Sequence, residues 1–159
     1  MGESTLADLT SAELATLPDA DLVARAASAV SARVRGLEPE AQAEAIRALS
    51  HDQAALFGFW VLHAHGGRGL SGFCQEMPHR AGDPDFWTLL EAALGRLGDH
   101  DLLALVRRVP SSMADPDAML SLDAEYRQLA SRSLARVARH IRAHPQEFVT
   151  VAPNRPVHQ

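Results

Sequence analysis

The feature that most limits what this 159-residue chain can fold into is a run without polar residues, AALFGFWVL, at residues 54–62. The run is shorter than the roughly 20 apolar residues that a membrane-spanning helix requires. The preceding SHDQ, Ser50–Gln53, has the form of a capping box that starts a helix. The glycines of HGGRG at residues 65–69 are typical of a helix end. We therefore predict a central helix at about residues 51–65, apolar on all sides and hence buried.

The rest of the chain predicts an all-α fold around that helix. Ala, Leu, Arg and Glu dominate, and no alternating β-branched run indicates a strand. A second capping box is Thr10–Glu13, and Pro39, Asp83 and Asp99 are typical of helix starts. Longer helices are predicted at residues 19–36, 84–97, 100–109 and 122–144. We expect a single-domain bundle of about six to eight helices over residues 1–159, with N-terminal helices in 1–50, a core in 51–149 and a frayed tail in 150–159.

Charge and cysteine content narrow the classes of function. Twenty acidic residues against 15 arginines, without any lysine, give a net charge of −5, which disfavours direct binding of nucleic-acid phosphates. A single cysteine excludes a disulfide within the chain and is typical of a reducing compartment. The N-terminus has no basic region followed by an apolar run, so we expect no secretory signal and a cytoplasmic location without membrane attachment.

One segment, HAHGGRGLSGFCQEMPHRAG at residues 63–82, collects residue types that bind metals or catalyse reactions. Because His63 and His65 point about 200° apart on a helix, they do not have the spacing of a helical zinc pair. The GLSGF sequence also lacks the second glycine position of a nucleophile elbow. We therefore expect no cofactor, no catalytic residue and an inert, buried Cys74. The alternative hypothesis is a small enzyme or metal protein centred on His63, His65, Cys74 and His79.

Two charged surfaces are candidate binding surfaces. Arg132, Arg136 and Arg139 recur at helical spacing, with Arg142 beside them, and could contact phosphate or an acidic partner. A solvated helix face explains the same pattern. Acidic residues recur near predicted helix starts, where the helix dipole favours negative charge, but exposed carboxylates in rows also compete with phosphates for arginine side chains. The residues that we predict to bind a partner in this way are Glu38, Glu40, Glu44, Asp99 and Asp101.

Four segments match a known pattern: FGFWVLHAH at 57–65, SGFCQEMPHRAG at 71–82, FWTLLEAALGRLGDHDLLALV at 86–106, and DAEYRQL with ARHIRAHPQEFV within 123–149. Together they cover about residues 54–149 and resemble a family of small all-helical bacterial proteins that includes a DNA-mimic protein. That family usually carries Asn-Gly-Gly-Phe, where this chain has LSGF with Leu70 in place of the asparagine. The glutamate typical of the preceding helix is also missing.

The resemblance implies structural roles at the corner formed by residues 63–82. Gly72 and Phe73 would form a tight turn into a short helix, Phe73 and Met77 would pack inward, and Gln75 would tie backbone groups together. Tyr126 would belong to the same structural motif.

The resemblance also implies a function. We expect a non-enzymatic protein-interaction module, an acidic partner of a DNA-binding regulator in the manner of a DNA mimic. A structural homodimer is the other arrangement that we consider.

Overall fold

A computed structural model describes residues 6–153 and is predominantly helical, which confirms the predicted fold class. The helices are α1 Ser11–Thr16, α2 Asp19–Ala32, α3 Pro39–Arg47, α4 His51–His65, α5 Gly69–Glu76, α6 Pro78–Ala81, α7 Pro84–Leu97, α8 His100–Arg107, α9 Val109–Ser112, α10 Pro116–Ala143 and α11 Pro145–Phe148. Two strands, β1 Ala7–Thr10 and β2 Val149–Ala152, lie near the ends of the described chain.

Helix α4 is the buried centre of the molecule, with the bounds that the sequence predicts. It packs most extensively against α7 and also contacts α2, α5 and α11. Leu56, Phe59 and Leu62 are almost completely buried. Its capping box is formed on both sides, since Ser50 Oγ accepts from the Gln53 amide at 3.1 Å and Gln53 Oε1 accepts from the Ser50 amide at 3.3 Å. A helix buried on every side can form here because its first turn is capped before the apolar run begins.

The last long helix begins earlier than predicted. Residues 116–121 belong to α10, whereas the predicted helix begins at residue 122. Asp115 caps the helix by accepting hydrogen bonds from the amides of Asp117 and Ala118, and Pro116 is its first residue. The same Asp-Pro signal starts α7 at Asp83, so the cap was present in the sequence and was overlooked.

The prediction that no strand is present is wrong. β1 and β2 form a parallel pair in which Ala7 lies opposite Val149 and Thr10 lies opposite Ala152. The expectation of a frayed tail is therefore also wrong for residues 150–152, while residues 154–159 lie outside the described chain. Four-residue strands carry little periodicity, and this pair joins segments from opposite ends of the sequence. Neither strand has a local signal that could predict the pairing.

The turn into α5 uses a different glycine from the one predicted. Gly69 has a φ of +86°, in the region that favours glycine, and a side chain there would lie 2.8 Å from the carboxyl group of Asp123. Gly72 lies inside α5 and is buried. Phe73 packs inward as expected and stacks on Phe86, with ring centres 5.6 Å apart.

Candidate functional site

The histidine and cysteine residues of the 63–82 segment do not converge. His63 stacks on Phe59 with ring centres 5.4 Å apart, and burial lowers its pKa. His65 pairs instead with Glu76, with Nδ1 and Oε2 3.2 Å apart. His79 is exposed in α6, and Cys74 is half-buried on α5. Between residues 6 and 153 no three His, Cys, Asp or Glu side chains are grouped so that they could hold a metal ion.

The other two residues of the structural motif implied by the resemblance are Tyr126, which is buried, and Gln75, which is exposed. Tyr126 is buried under the end of α4, and burial raises the pKa of its hydroxyl to about 12. A side chain at Gly66 would lie 2.7 Å from that hydroxyl, so the glycine leaves room for the Tyr126 side chain at the end of α4. Gln75 is exposed, and its side chain forms no hydrogen bond within the described chain. The expectation that Gln75 ties backbone groups together is therefore wrong.

An apolar cleft of about 390 Å³ lies between α5 and the start of α10, next to Met113 of the segment that joins α9 to α10. Met113 and Leu120 line it and are 38% and 66% exposed. Its other lining residues are Ser71, Cys74, Gln75, Pro116 and Met119. We call this feature the methionine cleft.

A buried carboxylate supports one wall of the methionine cleft. Asp123 Oδ1 accepts from the Ser71 amide at 2.9 Å, and its Oδ2 accepts from the Ser71 hydroxyl at 2.7 Å. Because the residue before α5 provides no side-chain cap, Asp123 supplies the missing acceptor from α10. Burial and the Asp123 charge raise the pKa of the Cys74 thiol. A raised pKa disfavours the thiolate form of Cys74, which is half-buried and not buried as predicted.

The five acidic residues predicted to bind a partner fall into two groups. Glu38, Glu40 and Glu44 are exposed around the start of α3, and none forms an ion pair with another residue in the described range. Asp101 is exposed in the first turn of α8. Asp99 is 4% exposed and caps α8 by accepting from the Leu102 amide at 3.2 Å, so it is not a surface carboxylate as the partner hypothesis required.

The arginines of α10 do not act as one surface. Arg142 reaches the N-terminal part of the chain, where it donates to the carbonyls of Leu14 and Leu17 and to Asp19. Arg136 donates to the carbonyl of Gly98 at 2.9 Å. Arg132 and Arg139 are exposed and have no hydrogen-bond or ion-pair partner within residues 6–153.

A charged cluster that was not among the predicted sites is formed by α4, α7 and α10. Asp52 is buried in the first turn of α4 and accepts two hydrogen bonds from Arg96, at 2.9 and 3.2 Å. His140 Nε2 lies 3.1 Å from the same carboxylate. The Arg96 hydrogen bonds, followed by that of His140, lower the pKa of Asp52 to about 2. Arg96 and His140 lie 44 and 88 residues after Asp52 in the sequence, so no local spacing predicts the cluster.

No protein-family model matches the chain, and neither a curated protein nor a solved structure is significantly similar to it. The resemblance described above therefore remains a prediction. Within the described part of the chain, no helix combines the length and apolar character needed to cross a membrane.

Proposed function

We propose that this protein is a non-enzymatic interaction module that binds a partner protein through the methionine cleft. The observation that carries the proposal is the exposure of Met113 and Leu120 at the same cleft. Large apolar side chains that are exposed together around a concave surface are typical of binding sites. Their continued exposure has a cost in water that a bound apolar surface would remove.

The chemistry of the methionine cleft favours an amphipathic helix as the partner segment. Met113 and Met119 have flexible thioether side chains, which adapt to differently shaped apolar surfaces. Asp115 and Asp117 lie at the start of α10, on either side of Pro116, which lines the cleft. A helix with an apolar face flanked by arginine or lysine would complement both the apolar surface and these two neighbouring carboxylates.

The test compares two serine substitutions of exposed leucines. Leu120→Ser removes the most exposed apolar side chain of the cleft, whereas Leu37→Ser alters a residue that is 41% exposed and does not line it. We would titrate each protein with a synthetic helix of leucine and arginine at helical spacing and follow the methionine methyl resonances. We expect saturable shifts at Met113 and Met119, unchanged in Leu37→Ser and at least about tenfold weaker in Leu120→Ser. Equal binding by both variants, or no binding to the wild type, would overturn the proposal.

A second candidate function rests on three exposed carboxylates in α3 and directly before it. Glu38, Glu40 and Glu44 have no ion-pair partner among residues 6–153, so they are available to the basic surface of a DNA-binding regulator. This is the surface on which DNA mimicry would operate. The other two residues predicted to bind a partner, Asp99 and Asp101, lie at the start of α8. This helix packs against α7, α9 and α10.

Competition with DNA separates the second candidate from the first. Proteins from extract would be captured on the immobilised wild type and on a triple Glu→Gln variant at residues 38, 40 and 44. Mimicry requires that a captured DNA-binding protein is released by duplex DNA at moderate salt and is lost with the triple variant but not with Leu120→Ser. A captured protein that DNA does not release would exclude mimicry for this chain.

A further inference from the structure

A second cleft, of about 380 Å³, lies between α8 and α10. Ala104, Leu105 and Leu129 supply apolar atoms to its walls. It shares Asp101, Leu129 and Arg132 with a smaller adjoining cavity of about 20 Å³, which Asp99 and Ser133 also line. A cavity of this size holds one group about as large as a water molecule, and an ammonium group has that size.

Asp99 provides an acceptor that residues 6–153 leave unused. One carboxylate oxygen caps α8, but Oδ2 is buried and accepts no hydrogen bond from any described residue. A buried carboxylate oxygen without a donor destabilises the structure. A group in the adjoining cavity that donates hydrogen bonds would satisfy this oxygen once the side chain adjusts to meet it.

The charges around the two cavities are of both signs. Asp99 and Asp101 come from the start of α8, while Arg132 and Arg136 come from α10. Arg108 and Glu125 also line the larger cleft, but they form an ion pair with each other at 2.7 Å. Asp101 and Arg132 form no ion pair with each other or with any other residue in the described range. A simple cation would be repelled by the two arginines, and a simple anion would be repelled by the two aspartates. A ligand that carries both charges close together can place each charge beside side chains of the opposite sign.

We propose that the α8–α10 cleft binds a free α-amino acid. Its ammonium group occupies the small cavity and donates to Asp99 and Asp101, and its carboxylate accepts from Arg132. In an α-amino acid both groups are attached to the same carbon atom. Their short separation matches the opposite charges that line a cavity of about 20 Å³. The side chain of the amino acid lies against Ala104, Leu105 and Leu129 in the larger cleft. This inference does not rest on the methionine cleft or on the proposed interaction function.

The first test uses the free protein amino acids as probes. Each is compared with its Nα-acetyl derivative, which has no α-ammonium group, and with its α-amide, which has no α-carboxylate. Binding would be followed by the backbone amide resonances of residues 99–102 and 129–133. We expect at least one amino acid to give saturable shifts there, with both of its derivatives at least about tenfold weaker. The proposal is overturned when no probe shifts these resonances at about 10 mM, or when the derivatives bind equally well.

Substitutions then locate the site. Asp101→Asn and Arg132→Gln change exposed residues and should each weaken binding about tenfold or more without changing the helical content. Arg139→Gln is the matched control, because Arg139 is exposed on the same helix and does not line either cavity. Asp99→Asn keeps an oxygen for the Leu102 amide but turns the unused acceptor into a donor, so it should abolish binding. Equal affinity in Arg132→Gln and Arg139→Gln would place the ligand elsewhere and reject the assignment.

Discussion

At the scale of single residues, Asp52 links three helices through one carboxyl group. It lies in α4 and contacts Arg96 of α7 and His140 of α10. Arg96 approaches with two nitrogens, an arrangement that guanidinium and carboxylate groups favour. His140 also lies edge-on to Phe148, with ring centres 5.7 Å apart, so the cluster extends to α11. Because the Asp52 carboxylate is buried, its ionised form is stable only with these partners beside it.

We expect Asp52→Asn to lower the free energy of unfolding at pH 7 by about 2 kcal/mol, because the native pKa is about 2 and the ordinary value is 3.8. A carboxyl group whose pKa is lowered by folding stabilises the folded protein at pH values above its ordinary pKa. This contribution is lost as the pH falls from about 4 towards 2. Urea unfolding of both proteins between pH 7 and pH 3 would measure it. The difference between them should narrow as the pH falls, and a constant difference would contradict this account.

At the scale of elements, α5 depends on a cap that comes from another helix. Asp123→Ala leaves the Ser71 amide and hydroxyl without their acceptor, and we expect it to lower the free energy of unfolding by about 2–3 kcal/mol. Ser71→Ala removes only the hydroxyl hydrogen bond and should cost about 1 kcal/mol. Asp123→Asn keeps one acceptor oxygen and should lie closer to the wild type. Urea denaturation of the three variants checks this order, and equal losses in all three would show that Asp123 does not act as a cap.

Helices were predictable from the sequence where their signals are local. Three signals define α4: the Ser50–Gln53 capping box, the apolar run and Gly66. All three lie within the helix or directly next to it. The position of Asp123 as the cap of α5 was not predictable, since it lies 52 residues from Ser71. The methionine cleft was not predictable for the same reason, because only packing brings Met113 and Leu120 beside Cys74. Candidate sites built by distant contacts therefore escape a reading based on spacing.

At the scale of the whole molecule, Arg142 and the β1–β2 pair join the two ends of the described chain. Arg142 donates to the Leu14 carbonyl at 3.1 Å, to the Leu17 carbonyl at 2.7 Å and to Asp19 at 2.6 Å. α1 buries none of its own residues, so it depends on such contacts more than on a core face. Arg142 thus fastens α1 to α10, while Leu9 of β1 and Val149 of β2 are buried in the hydrophobic core.

We expect Arg142→Gln to release the N-terminal segment without unfolding the core. Amides of residues 9–17 should exchange their hydrogens about tenfold faster, which corresponds to about 1.4 kcal/mol of local stability, while amides of α4 keep their protection. Arg139→Gln removes an exposed arginine that has no partner in the described chain and should leave both regions unchanged. Equal acceleration in α1 and α4 would instead mean that Arg142 stabilises the whole fold. The two ends of the chain would then belong to one cooperative unit with the central helix.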